Sequence, residues 1–231
     1  MQYFKPFTYF VSKESGGWMN LLYGSVCVLI PIVGPIVLLG YRAEIAEDLD
    51  RDPRLEEHPN FDFNRFVDYL SRGIWPFLME LIVGAGTMAL MLLVVAVGFM
   101  AYGATDEPVS GFAVGGLLFI PVVLLSMLVV WPLELHTQLT GKFEFGRAFA
   151  FMTRWLKRVW GQALLVALAY WFLGTLVALL GYAAFCVGIY PAVVILGMAQ
   201  QHLVAQLYRL YLDEGGEPIS GPLEQLEIDE E

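Results

Sequence analysis

The chain has 231 residues, 58% of them hydrophobic and 16% charged, with a mean hydropathy of +0.62. Soluble domains carry roughly 45–50% apolar and 25% charged residues, so there is too little polar surface here to coat a soluble core. Of the net charge of −10, most sits in residues 213–231, which hold eight acids and no base against 15 acids and 13 bases elsewhere; with no basic stripe for phosphates, nucleic acid is not an expected partner.

The N-terminal segment lacks a basic region followed by an apolar stretch and a cleavage site, so the first membrane-entering segments must direct insertion. Residues 18–48 place Pro31, Gly34 and Pro35 mid-way, with Arg42 and Glu44 close behind. This reads as either one kinked span or a tight hairpin. Apolar stretches at about 73–102, 111–135, 159–180 and 187–207 each supply the roughly 20 residues needed to cross about 30 Å of hydrocarbon. Cys27 and Cys186 lie in apolar runs without CxxC spacing and read as small hydrophobes.

An internal repeat favours the hairpin. FDFNRFVDYLSR (61–72) aligns without gaps on FEFGRAFAFMTR (143–154), matching Phe61 with Phe143, Asp62 with Glu144, Arg65 with Arg147, Tyr69 with Phe151 and Arg72 with Arg154. Each copy precedes a span, a short loop and a second span with a proline, Pro121 or Pro191; Pro35 fits the same slot behind the aromatic segment FTYFVSK (7–13). The expected fold is therefore all-α and polytopic: three helical hairpins, about six membrane-entering helices with the first hairpin short or re-entrant, and interfacial amphipathic helices. One membrane domain, 1–212, contains pseudo-repeats at about 4–50, 61–139 and 143–212; residues 213–231 form an acidic cytoplasmic tail, expected to be disordered.

Charge agrees with this topology. With six segments, all 13 basic residues fall on one side, and the turns near 31–35, 103–110 and 181–186 carry only Asp106 and Glu107. The positive-inside rule then puts both termini in the cytoplasm. A single kinked span would strand Lys5 and Lys13 outside.

In the repeated segments Phe63, Phe66, Val67, Leu70 and Ile74, and likewise Phe145, Phe149, Met152 and Leu156, follow helical spacing. Arg65 and Arg72 in one copy, and Arg147, Arg154, Lys157 and Arg158 in the other, lie mostly around the polar side and are candidates for contact with anionic headgroups. Packing of the aromatic face on the bundle is the equal alternative. Asp62 is placed to cap its helix, and Glu144 to cap less well.

Ionisable and amide groups in apolar runs are site candidates, because charge at membrane depth is costly. The candidate polar cluster is Arg42, Glu44, Glu80, Glu134, His136, Gln200, Gln201 and His202, with Glu80 as the deepest carboxylate and Arg42 its possible counter-ion. Glu134, His136, Gln200 and His202 lie close enough to the boundary to read as solvated helix ends. No HExxH, GxSxG, P-loop or GxGxxG pattern is present, and Glu134 and His136, two apart, point to different helix faces. No catalytic residue, cofactor or metal is expected, and the protein is not expected to be an enzyme.

The segments IPIVGP (30–35), LLGYR (38–42), FDFNRFVDYLSRG (61–73) and FGRAFAFMTRWLKRVWG (145–161) together resemble an uncharacterised family of prokaryotic multi-spanning membrane proteins, the domain of unknown function numbered 4013, over about residues 4–212. The resemblance implies a helical protein of a prokaryotic cytoplasmic membrane and carries over no activity or site residue. The expected function is that of a structural or assembly protein, a subunit or anchor of a larger membrane complex or a bilayer-interacting scaffold, with membrane lipids and other proteins as partners. The alternative is a small-solute or ion transporter or channel using Glu80 and the Gln200–His202 region; a membrane enzyme is the third class.

Overall fold

The structure, a computed structural model, describes residues 2–8, 16–51, 59–184 and 187–219. Lys13, Arg54, His58, Cys186 and the acids from Glu224 onward lie outside them. Within them the chain is helical, with no strand: α1 Gly16–Val28, α2 Val33–Arg51, α3 Phe66–Thr105, α4 Pro108–Thr140, α5 Phe145–Ala183 and α6 Ile189–Asp213. Single 3₁₀ turns occupy Lys5–Phe7 and Phe63–Arg65. The all-α fold and its three successive hairpins agree with the expectation from sequence.

The turns follow from local chemistry. Between α1 and α2, Pro31 cannot donate, and the β-branched Ile32 is held at φ 64° while Gly34 N–H donates to Ile30 O at 3.0 Å. Gly34 sits against the Cys27 carbonyl, where no Cβ fits. Asp106, at φ 55°, closes α3 through its N–H to Tyr102 O, and Pro108 opens α4 at a position that needs no donor. Gly141, at φ 62°, ends α4 in the same left-handed manner.

The aromatic segments are not the separate interfacial helices expected but the opening turns of longer ones. Pro76 lies inside α3 without ending it, and α5 continues through a kink at Val159 (φ −119°, ψ 16°). Among the described residues three helical stretches are long and apolar enough to cross a membrane: Phe63–Thr105, Pro108–Thr140 and Phe145–Ala183. The fourth expected span, 187–207, forms α6, whose apolar character is diluted by Gln200, Gln201, His202 and Gln206.

Helix α2 is the hub, packed against α1, α3, α4 and α6. Its contact with α3 is made backbone to backbone: a Cβ on Gly40 would run into the Tyr69 carbonyl and one on Gly73 into the Ile36 carbonyl. Around this crossing Tyr41, Phe61 and Tyr69 stack edge-on or tilted, with centroids 5.1–5.8 Å apart. Buried Asn20 of α1 ties the loop down, accepting from Phe61 N–H at 2.8 Å and donating to Pro59 O at 3.1 Å. A second core joins α4, α5 and α6 through Trp131, Leu135, Phe151, Trp155, Leu207 and Tyr211.

The hairpins differ in reach. Glu134 hydrogen-bonds Gln200, yet it lies about 26 residues from the start of α4 whereas Gln200 lies about 11 from the start of α6, a difference of about 20 Å of helix. On the other flank Ile36, near the start of α2, meets Gly73, with most of α3 still to come. The α3–α4 hairpin therefore projects past the other two. Only 11% and 6% of the most apolar windows of α3 and α4 are buried within the chain.

Candidate functional site

The deepest polar feature lies where α2, α3, α4 and α6 meet. Helix α2 runs antiparallel to α3, and side chains lean toward the N-terminus of their own helix. Arg42 therefore leans toward the hairpin tip and Glu80 back toward the start of α3, and the two approach across the packed faces. Arg42 Nη1 lies 3.9 Å from Glu80 Oε1, and Nη2 lies 2.7 Å from Glu134 Oε1.

Glu134 is the centre. Its side chain is only 3% exposed; Arg42 Nη2 forms an ion pair with Oε1, and two amides donate to the carboxylate, Gln138 Nε2 to Oε1 at 2.8 Å and Gln200 Nε2 to Oε2 at 3.0 Å. Gln138 in turn accepts from Gln201 Nε2 at 2.8 Å. Gln138 stands one helical turn after Glu134 on α4, so adjacent residues of α6, Gln200 and Gln201, engage successive turns of one facing helix. A buried carboxylate is tolerable only when paired and hydrogen-bonded, and here both oxygens are engaged.

The opposite end of the triad is open. The Glu80 side chain is 36% exposed and its ion pair with Arg42 is long. Arg42 Nε and Nη2 have no hydrogen-bond partner, Nη2 meeting Glu134 as an ion pair, and the side chain passes Gly197, where a Cβ would make only ordinary contact with it. Tyr170 of α5 stands behind the group, donating from its hydroxyl to Leu196 O at 3.2 Å and stacking on Trp131 and Phe7. The N-terminal segment is thus part of the wall, and Gln2 N–H donates to Gln206 Oε1 at 2.8 Å.

Of the residues singled out in the sequence, Arg42, Glu80, Glu134, Gln200 and Gln201 are brought together. Glu44 is not: it binds Arg65 at 2.7 Å, while Glu47 takes Arg72, so two charges assigned to the lipid interface instead hold α2 to α3. His136 points elsewhere on α4, buried against Phe151 at 5.9 Å with Nδ1 unpartnered. His202 is buried in α6. Of the four residues expected to be solvated helix ends, Glu134, His136 and His202 are therefore buried and Gln200 is half-buried. Gln138 was overlooked, although its i+4 spacing from Glu134 is visible in the sequence; Tyr170 carries no such signal.

The remaining basic candidates stay at the surface. Arg147 pairs with Glu144 at 2.9 Å, Arg154 approaches Glu217 at 3.6 Å, Arg158 donates to Gly215 O at 3.0 Å, and Lys157 is exposed. Glu144 makes no cap, whereas Asp62 accepts from Asn64 N–H at 2.9 Å. The first part of the acidic tail is held in place: Tyr211 and Tyr208 hydroxyls accept from Glu217 and Ile219 N–H, and Ile219 is buried.

Among the described residues no three His, Cys, Asp or Glu side chains gather as a metal site. What the arrangement does is electrostatic: one guanidinium and two amides hold a buried carboxylate, with a third amide, Gln201, bound to Gln138, cross-linking α2, α4 and α6 with Glu80 of α3 at the edge. No curated protein and no solved structure matches the chain. The family model described as "Protein of unknown function (DUF4013)" matches residues 23–187, which include Arg42, Glu80 and Glu134 and end before Gln200, and the chain belongs to that family.

Proposed function

We propose that this is a membrane-embedded assembly protein, a subunit or anchor whose projecting α3–α4 hairpin associates with helices of a partner in a prokaryotic cytoplasmic membrane. The observation that carries this reading is the hairpin's surface. Helices associate in bilayers through small residues that let backbones approach. Gly98 and Gly111 are spent on the α3–α4 contact itself, but Gly84, Gly86, Gly115 and Gly116 each face open space. An apolar groove of about 650 Å³ runs along the hairpin between Val95, Phe99, Gly111, Phe112 and Gly115. Small residues and a groove left unused within the chain suit a helix supplied from outside.

The polar network fits the same role. It sits at the base of the projecting hairpin and ties it to the shorter hairpins through paired groups, which suits a lock better than a path. Residues 81–133 contain only Asp106 and Glu107 as charges, so a polar route across the membrane has little to build on. The distribution of bases supports an orientation with both termini in the cytoplasm.

Photo-cross-linking tests the proposal. A photoreactive residue at Phe112 or Leu117, both widely exposed, should trap a discrete protein adduct in native membranes, whereas one at Val187, on the α5–α6 turn, should not. Lipid adducts alone at all three positions would refute it. One feature favours the transporter reading, the partly exposed Glu80 beside buried Arg42. Under that reading Glu80→Gln abolishes solute flux in proteoliposomes without loss of folded protein; under ours it changes no flux.

A further inference from the structure

The first half of α5 divides into three sectors, which its sequence pattern alone left unseparated. Ala148, Phe151, Met152, Trp155 and Val159 are buried in the bundle. Phe145, Phe149 and Trp160 are exposed, at spacings that place them on one stripe with half-buried Leu156 between. Among the described residues nothing covers this stripe, and Phe145 and Phe149 stack on each other at 6.2 Å. On the stripe's other flank stand Arg147, Arg154, Lys157 and Arg158, exposed to differing degrees.

Helix α5 contains no acid along its whole length, and its four bases all fall within its first 14 residues. The neighbouring carboxylates, Glu144 and Glu217, form exposed pairs with two of them; such pairs are worth little in water, and the sector keeps a net positive charge. The matching helix α3 differs in this respect, since Arg65 and Arg72 are engaged by Glu44 and Glu47. The kink at Val159, followed by exposed Trp160, marks the passage from this basic half to an uncharged stretch reaching the end of α5. An exposed aromatic stripe beside a basic one, ending on a tryptophan where the apolar span begins, is the pattern of a helix lying at the headgroup level.

We infer that the outer face of Phe145–Trp160 is a binding surface for anionic phospholipid headgroups, with Phe145, Phe149 and Trp160 in the acyl boundary and Arg147, Arg154, Lys157 and Arg158 at the phosphates. Charge complementarity selects this occupant over a zwitterionic surface, and the uncovered aromatic rings select it over a soluble acidic partner, which would leave them in water. The inference needs only membrane insertion and stands apart from the assembly proposal.

The test uses the full chain in nanodiscs of phosphatidylcholine mixed with phosphatidylglycerol, with co-retained lipid read by native mass spectrometry. Each basic side chain near an anionic surface contributes roughly fivefold, so R147Q/R154Q/K157Q should lose the preference for phosphatidylglycerol by on the order of 100-fold. R147K/R154K should keep it. An unchanged preference in the triple variant overturns the inference. Should that variant fold poorly, a nitroxide at position 149 decides: accessibility to oxygen but not to a water-soluble nickel chelate supports the surface, and the reverse overturns it. Loss of a bound acidic protein with lipid preference intact also overturns it.

Discussion

Replacing Arg42 by Leu removes the cation paired with Glu134 while preserving much of the side chain's apolar bulk. Breaking a buried ion pair from one side costs about 3–5 kcal/mol, because the remaining charge is left uncompensated. Here Gln138 and Gln200 still donate to the carboxylate at 2.8 and 3.0 Å, which places the cost near the lower end, about 3 kcal/mol. For a chain of this size 1 kcal/mol moves the melting temperature by about 2–4 °C, so R42L should melt about 6–12 °C early. Cys27, fully buried in α1, serves as reporter: in a C186S background a thiol-reactive fluorogenic dye reads its exposure as the protein unfolds. Because removing both charges abolishes the uncompensated state, R42L/E134L should recover to within about 1 kcal/mol of the parent. A single variant melting within about 2 °C of the parent, or a double variant no better than the single, would show that the network does not hold the hairpins together by charge.

Several other substitutions probe the same frame with the same melt. Gly73→Ala should cost about 2–3 kcal/mol or more, since its Cβ meets the Ile36 carbonyl rather than a side chain that can move; an unchanged melt would mean that α2 and α3 do not touch there. Asn20→Ala should cost about 1–3 kcal/mol by leaving Phe61 N–H without its acceptor, and Asn20→Asp should cost at least as much, because it keeps that acceptor but buries a carboxylate against the Pro59 carbonyl to which Asn20 donates. Ile219→Ser should cost about 1.5–3 kcal/mol if the segment after α6 is packed as described; a neutral result would detach that segment from the core. Gly115→Leu should leave the melt within about 0.5 kcal/mol of the parent, as its Cβ meets nothing in the chain, yet should abolish partner cross-linking at Phe112.

Much of the fold was legible because its signals are local. Proline and glycine at 31–35 mark a turn, apolar length marks α3, α4 and α5, and the one-sided placement of bases agrees with three hairpins. The polar cluster was legible in kind, since a charge in an apolar run needs a partner, and Arg42, Glu80 and Glu134 were the few available. The pairing was not. Glu44 and Arg42 are two residues apart and so face different neighbours, and only the α2–α3 register, set by Gly40 against Tyr69 and Gly73 against Ile36, decides that Glu44 meets Arg65 while Arg42 passes to α4. Helical spacing likewise put Phe145, Phe149, Met152 and Leu156 together, but the angle at which α5 meets Met79 and Leu133 buries Met152 and leaves the two phenylalanines outside. How far one hairpin outruns another depends on tertiary contacts, and it is this difference that leaves the glycines of α3 and α4 unused.

Native mass spectrometry of the tagged protein, extracted gently from its own host into nanodiscs, tests the assembly role most directly. The account predicts a second protein in fixed stoichiometry, lost from the Gly115→Leu variant while the folded chain and its bound lipid persist. A lone monomer or homo-oligomer, identical for parent and variant, would contradict it.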